Sequence, residues 1–196
     1  ALAAALKTGE IDMARVEAKD AEVLQRQEQL ALHAYLAPGY TYIGWNQLRG
    51  GKEFFQSKAV RQALAYGLNT EQVIDTVLFG EGKRMVAHTP PTSWAYDPAG
   101  LNEYAYDPAR ARELIESDGW RLGADGVYEK DGQKLSTVVA VRAERANRSK
   151  WMQLMADQVK DCGIDIQFKE IDFGAILNML NNFPHVNAAD PTKGKR

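Results

Sequence analysis

The stretch SKAVRQALAYGLNTEQVIDTVLFGEG, residues 57–82, carries the most regular apolar spacing in the chain. Val60, Leu64 and Gly67 recur at intervals of four and three, which places them on one face of a helix that Ser57 can cap. An Asn-Thr pair then marks the start of a second helix. The apolar stripe of this helix ends at a glycine-rich turn. The stretch therefore predicts two short amphipathic helices, each of which buries one side.

Strand and helix patterns alternate downstream of this helix pair. Residues 107–119 open with Asp-Pro, the favoured pair for a helix start, and end on glycine. Two Asp-Gly turns within residues 124–135 predict a hairpin that leads into a buried strand at 138–141. A helix over about 148–162 and an alternating strand over 164–168 follow, with one more helix after them. This order is typical of the α/β class.

The upstream part of the chain has weaker patterns. Residues 1–8 predict the end of a helix that stops at Gly9. Residues 30–36 and 40–45 predict two strands that a Pro-Gly turn separates. Residues 83–103 contain two proline breaks, Pro90-Pro91 and Asp97-Pro98, and predict an irregular loop, and a loop of this length in a compact domain is usually functional or a lid.

The composition excludes disordered and collagen-like proteins. An apolar share of 45% and a charged share of 26% over 196 residues are those of a soluble globular domain. The net charge of −2 produces no long-range field, so composition does not favour a nucleic-acid partner. The lone cysteine, Cys162, has no disulfide partner, and we expect a small buried side chain there. The chain begins inside a helical pattern without a cap and ends in a polar tail, so we expect a segment of a longer protein.

Common catalytic and metal-binding spacings are missing from the sequence. The histidines His33, His88 and His185 stand singly and form no H-x-x-x-H pair. There is no G-x-S-x-G elbow, and the lysine-containing glycine turns lack the phosphate-binding spacing. The sequence therefore predicts no catalytic residue, no metal site and no cofactor.

One basic segment favours a binding role. VRAERANRSK, residues 141–150, places Arg142, Arg145, Arg148 and a lysine between a buried strand and the start of a helix. A helix N-terminus attracts anions through its free amides, and arginines beside it add charge-assisted donors for a carboxylate or phosphate. A solvated charged loop is the other interpretation of this segment.

Large aromatic residues flank the proline-rich loop. Trp94 and Tyr96 lie between its prolines and can line a ligand cleft, although Trp94 can equally complete a core. Trp120 directly follows a predicted helix and is expected to belong to the core.

Seven motifs occur in an informative order. They are ALAAALKTGEIDMARV, YTYIGWN, SKAVRQALAYGLNTEQVIDTVLFGEGK, PPTSWAYDP, YAYDPARARELIESDGW, DGVYEKDGQKLSTVVAV and DCGIDIQFKEIDF. In this order they resemble the extracellular solute-binding proteins of peptide, dipeptide and nickel ABC importers. The resemblance covers nearly the whole chain.

The resemblance implies a fold and a role. The fold is the second lobe of a periplasmic-binding-protein-like structure of type II, a mixed sheet flanked by helices. Residues 1–39 are then the end of the first lobe with the crossover segment, and residues 40–196 are the second lobe, truncated before the return to the first. The whole receptor captures a small molecule or, as the motifs favour, a peptide between two lobes and delivers it to ABC permease subunits in the membrane. Its location is periplasmic or extracellular, either free or anchored through a lipoprotein signal upstream of this chain.

The resemblance also implies ligand contacts. The family's anion-binding arginine often lies in the loop between a buried strand and the next helix, which makes Arg145 and Arg148 the favoured contacts here and Arg142 the next. The segment TPPTSWAYDP resembles the loop that faces the cleft, which adds Trp94 and Tyr96. No catalytic residue, metal or cofactor is implied.

A second interpretation belongs to a different functional class. A regulatory or enzymatic domain can reuse the same α/β lobe, because a fold does not fix a function. The missing nucleophile, base and metal set argues against an enzyme. A catalytic or DNA-binding domain fused to this chain would argue against the receptor and for this second interpretation.

Overall fold

A computed structural model describes residues 2–47, 52–142 and 146–181, with the backbone alone for residues 146–149. In chain order the helices and strands are α1 (Leu2–Thr8), α2 (Ala18–Gln25), α3 (Lys58–Tyr66), α4 (Thr70–Val77), α5 (Pro108–Ser117), β1 (Arg121–Leu122), β2 (Tyr128–Lys130), β3 (Gln133–Lys134), β4 (Ser136–Arg142), α6 (Ala146–Lys160), β5 (Asp165–Ile171) and α7 (Phe173–Asn181). A short 3-10 helix, Glu53–Gln56, precedes α3. This mixture of helices and sheets confirms the α/β prediction.

The chain divides into two compact units by its internal contacts. The first unit comprises Ala1–Tyr42 and Thr70–Glu103, and the second comprises Ile43–Asn69 and Tyr104–Arg196. The predicted lobes, residues 1–39 and 40–196, refer to a larger protein, and that division stays a prediction.

The first unit is built from short helices and turns. α1 packs against α2 and buries Leu6, and Gly9 ends α1 at a φ of 71° as predicted. α4 buries Val73 and Ile74 on one face, as the apolar stripe predicts. Its last turn closes through a hydrogen bond from the Gly80 amide to the Ile74 carbonyl at 3.1 Å. The loop that follows contains turns and bends without a helix or strand, which confirms its predicted irregularity.

The two strands predicted over residues 30–36 and 40–45 are wrong. Both segments lack strand structure, and the strands of the described sheets come from other parts of the chain. Apolar alternation does not make a strand without a partner to accept its backbone hydrogen bonds. Tyr35 and Tyr42 are exposed, whereas Trp45 stacks on Phe55 in the second unit with ring centroids 4.9 Å apart.

Capping residues fix the helices α3 and α5 of the second unit. The Ser57 hydroxyl accepts the Val60 amide at 3.4 Å at the start of α3 and donates to the Asp118 carboxylate at 2.9 Å. The Asp107 carboxylate accepts the Arg110 amide at 2.9 Å and caps α5, which begins with proline. These caps satisfy backbone donors that a helix leaves free at its first turn. The two helices pack against each other, and both predicted starts are confirmed.

The predicted hairpin is present as a small antiparallel sheet. β2 is its central strand, and Glu129 lies opposite Arg121 on β1 and Lys134 on β3. Asp131 and Gly132, with φ angles of 52° and 75°, form the turn between β2 and β3. An Asp-Gly pair suits this turn because both central residues require positive φ.

A parallel strand pair follows the hairpin. β4 and β5 pair in parallel over their whole length, from Ser136 opposite Asp165 to Arg142 opposite Ile171. At the amino end the Ser136 hydroxyl donates to the Asp165 carboxylate at 2.6 Å. α6 connects the two strands and packs on both, which is the crossover that a parallel pair requires.

An apolar cluster joins the helices and strands of the second unit. Trp120 is 4% exposed, which confirms its predicted core position. A Cβ atom on Gly67 would come within 3.1 Å of the Cys162 Sγ, so α3 approaches the end of α6 closely. Burial raises the pKa of the Cys162 thiol to about 11, which keeps this predicted core residue neutral. The buried members are Phe54, Phe55, Val60, Ala63, Leu64, Ala111, Ile115, Trp120, Tyr128, Leu135, Val159, Cys162, Ile164 and Ile166.

The buried phenol of Tyr128 makes stability depend on alkaline pH. Burial and the hydrogen bond to Glu116 raise its pKa from 10.0 to about 12. A raised pKa means that the folded chain favours the protonated phenol. The stabilisation that this phenol provides is complete below pH 10 and is lost as the pH rises toward 12. We expect the unfolding free energy to fall by about 1–2 kcal/mol through this group between pH 9.5 and 11.5. Urea denaturation at both pH values measures the fall, and Tyr128→Phe should remove this part of it; an equal fall in both proteins would contradict the assignment.

Candidate functional site

The carboxyl ends of β4 and β5 form one edge of the parallel pair. Arg142 and Ile171 are opposite each other at this edge, and they are the last residues of their strands. α6 begins shortly after β4, and α7 begins two residues after Ile171. Ligands of open α/β sheets bind outside the carboxyl ends of the strands, where helix N-termini supply amide donors. We call this the carboxyl edge.

A capped helix start lies at the carboxyl edge. The Asp172 carboxylate accepts the Ala175 amide at 3.1 Å, and the Asp172 carbonyl accepts the Ile176 amide at 3.1 Å. These bonds fix the first turn of α7 and with it the position of Phe173. The Arg142 guanidinium carbon lies 3.7 Å from the centre of the Phe173 ring, within the range of a cation–π contact. A half-buried arginine is therefore fixed at this edge by a neighbouring aromatic ring.

The structure does not describe the side chains of the other two predicted arginines, Arg145 and Arg148. Arg145 lies outside the described residues. Arg148 lies in the first turn of α6, where the backbone alone is described. The predicted helix is present, but α6 begins at Ala146, within the basic segment and about two residues before the predicted start, whereas the roles of these two side chains stay predictions.

Trp94 and Tyr96 lie together on one turn of the first unit. The Tyr96 amide donates to the Ser93 carbonyl at 3.2 Å, and the Ala95 amide donates to the Ser93 hydroxyl at 3.2 Å. Trp94 is 98% exposed, so it belongs to no core among the residues that the structure describes, while Tyr96 is half-buried. A fully exposed tryptophan on an ordered turn has an apolar surface available to a ligand or partner.

Residues 2–47, 52–142 and 146–181 hold neither a metal-binding cluster nor a membrane-spanning helix. These residues contain no group of three or more His, Cys, Asp or Glu side chains that could hold a metal ion. No helix in the same ranges is long and apolar enough to span a bilayer.

The order of motifs and the fold agree with one known family. A family model described as the middle part of the bacterial extracellular solute-binding proteins, family 5, matches residues 1–189. The chain belongs to this family. Solute-binding proteins of this family are extracellular binding proteins rather than enzymes, and their fold is the type II periplasmic-binding-protein fold expected from the sequence.

Several relatives with sequence similarity are named as peptide-binding proteins. The chain is 31% identical over 186 residues to the oligopeptide-binding protein AppA of Bacillus subtilis, covering 92% of this chain and 33% of that protein. It is 35% identical over 122 residues to di/tripeptide-binding protein 3 of Pseudomonas aeruginosa, covering 61% of this chain and 22% of the relative. The chain thus spans a third or less of the length of these relatives.

Solved structures share the fold. The structure of Bacillus subtilis AppA in complex with a nonapeptide matches with a TM-score of 0.79 and 28% identity, over 92% of this chain and 36% of that one. NikZ of Campylobacter jejuni in complex with Ni(L-His) matches with a TM-score of 0.71 and 25% identity, over 89% of this chain and 34% of that one. The two similar structures therefore hold ligands of different chemical kinds, a peptide and a nickel–amino-acid complex.

Sequence reasoning missed Phe173 as a residue of the carboxyl edge. The sequence pattern predicts only one more helix after the last strand. A usable signal was present, because Asp172 is a favoured N-cap directly after a strand, and a parallel neighbour brings that point beside the end of β4. The contact with Arg142 itself requires knowledge of the strand register.

Proposed function

We propose that this chain is part of a solute-binding protein that captures a peptide outside the cytoplasmic membrane and delivers it to an ABC importer. The observation that carries the proposal is the match to the nonapeptide complex of Bacillus subtilis AppA, with a TM-score of 0.79 over 92% of this chain. The 31% identity to the same protein supports it independently of the coordinates. The peptide is preferred over a nickel complex because both measures are higher for AppA than for NikZ.

The proposed ligand contacts form two groups. Arg142 ends β4, Arg148 lies in the first turn of α6, and Arg145 stands between them in the sequence, so their charges and the free amides of α6 suit a peptide carboxylate. Trp94 and Tyr96 offer aromatic surface to peptide side chains, a role that suits large rings at binding sites. We propose that all five contact the bound peptide in the whole receptor.

The proposed partners and location follow from the family. The receptor delivers its ligand to permease subunits in the cytoplasmic membrane, and it works in the periplasm or outside the cell. Closure of two lobes over the ligand is the signal that the permease recognises in this proposal.

A calorimetric titration tests the proposal. The full-length protein is titrated with a mixture of random pentapeptides that carry free C-terminal carboxylates. We expect binding, and we expect Arg148→Ala to weaken it by about 1–3 kcal/mol through the loss of a charge-assisted hydrogen bond. Arg110→Ala is the matched control, because Arg110 pairs with Glu113 on α5 and should leave affinity unchanged. Wild-type protein that takes up none of the peptides would contradict the proposed function.

A further inference from the structure

We propose that Phe173 is a positioning residue that fixes the Arg142 guanidinium for the carboxylate of a bound peptide. This inference rests on the proposed function and gives a role to Phe173, the last residue of the motif DCGIDIQFKEIDF. The carboxyl edge supplies the geometry, since Arg142 ends β4 and Phe173 begins α7.

The position of Phe173 is determined by the backbone on both sides. β5, which ends two residues before Phe173, is held in register with β4 by the pairing of Ile171 with Arg142. α7, which begins at Phe173, is held by the Asp172 cap. The backbone of Phe173 is therefore fixed relative to the end of β4. The centre of its ring lies 3.7 Å from the guanidinium carbon of Arg142.

Phe173 is poorly explained as a core residue. Its side chain is 36% exposed, and α7 has no buried residue in the described structure. An aromatic residue at the start of a helix is also no better than many others for helix stability. Its placement is explained by what it touches, which is a cation at the end of a strand.

A ring contact preserves what an arginine needs in order to bind an anion. The attraction between a cation and a ring face leaves the positive charge in place. Arginine also stacks on aromatic faces through its plane, and its N–H donors lie in that plane, so a stacked ring does not consume them. An immobilised arginine loses less conformational entropy when it binds a carboxylate, which increases affinity through preorganisation. The expected signature of Phe173 is thus discrimination between charged and neutral ligands.

The test compares two ligand mixtures on the full-length protein. Random pentapeptides with a free C-terminal carboxylate and the same pentapeptides with a C-terminal amide are titrated separately by calorimetry. We expect wild type to prefer the carboxylate form by about tenfold, and Phe173→Leu to lose most of that preference with little change for the amide form. Phe173→Tyr keeps the ring face and should restore the preference. Leu180→Ala, at a position on the same helix that is 61% exposed, should behave as wild type.

Each outcome decides the inference. An unchanged preference in Phe173→Leu overturns it, and so does a preference lost equally in Phe173→Tyr. Wild-type binding of both mixtures with equal affinity overturns it while leaving the proposed function intact, whereas binding of neither mixture overturns the proposed function itself. If Phe173→Leu fails to fold in a thermal melt, Arg142→Lys decides, because lysine keeps the charge but cannot stack as a plane; a retained preference there overturns the inference.

Discussion

Replacing Gly163 by alanine is expected to destabilise the protein by about 2–5 kcal/mol, the sum of a positive-φ penalty and an overpacked core. Gly163 has a φ of 77°, a region that L side chains rarely adopt. A Cβ atom there would lie 2.6 Å from Cδ2 and 2.7 Å from Cε2 of Tyr128. Urea denaturation followed by tryptophan fluorescence measures the loss.

Tyr128 cannot move away easily from such a Cβ atom. Its amide donates to the Gly163 carbonyl at 2.9 Å, and its hydroxyl donates to Glu116 at 2.6 Å. The matched control is Gly132→Ala, at a φ of 75° with no atom within 4 Å of the added Cβ. We expect the control to cost about 1–2 kcal/mol, so the difference isolates the contact with Tyr128. Equal losses for the two variants would show that the core accommodates the methyl group.

Replacing Gln158 by leucine is expected to cost about 2–3 kcal/mol, because two backbone groups lose a partner. Gln158 is the buried polar residue of the described core, at 6% exposure. Its Oε1 accepts the Asn69 amide at 3.0 Å, and its Nε2 donates to the Asn69 carbonyl at 3.3 Å. This amide therefore fixes the end of the α3 segment to α6. Thermal and urea denaturation measure the effect.

An exposed glutamine on α6 provides the control for that substitution. Gln153 is exposed and bonds only weakly to Asp157, at 3.3 Å. We expect Gln153→Leu to change stability by less than about 0.5 kcal/mol, as is usual for surface positions. If Gln158→Leu were equally mild, water or a backbone shift would satisfy the Asn69 groups, and the proposed role of Gln158 would be wrong.

Local signals explain which parts of the fold are predictable from sequence. Ser57 and Asp107 predict helix starts because an N-cap bonds to an amide within three residues. The Asp131–Gly132 pair predicts a hairpin because its turn is likewise formed by neighbouring residues. The segments 30–36 and 40–45 carry the right alternation but no partner strand, and pairing is a property of the tertiary structure. Local sequence patterns therefore do not predict whether such segments form strands.

The candidate site shows the same distinction. Arginines that follow a strand and enter a helix are visible in the sequence, because both the charge pattern and the helix start are local. The contact of Arg142 with Phe173 and the bonds of Gln158 to Asn69 join residues far apart in the chain. These contacts depend on strand register and helix packing, which one sequence does not specify by pattern. The parallel register of β4 and β5 supplies the missing information for the first of them.

The most direct test of the account is native mass spectrometry of the full-length protein purified from its host without denaturation. The central claim is that this chain helps to bind a peptide, as its similarity to a nonapeptide-bound structure suggests. We predict that the protein carries additional masses that dissociate on activation and fragment as peptides. A protein that carries a metal–amino-acid complex instead, or that stays free of ligand even after incubation with pentapeptides, would contradict the claim.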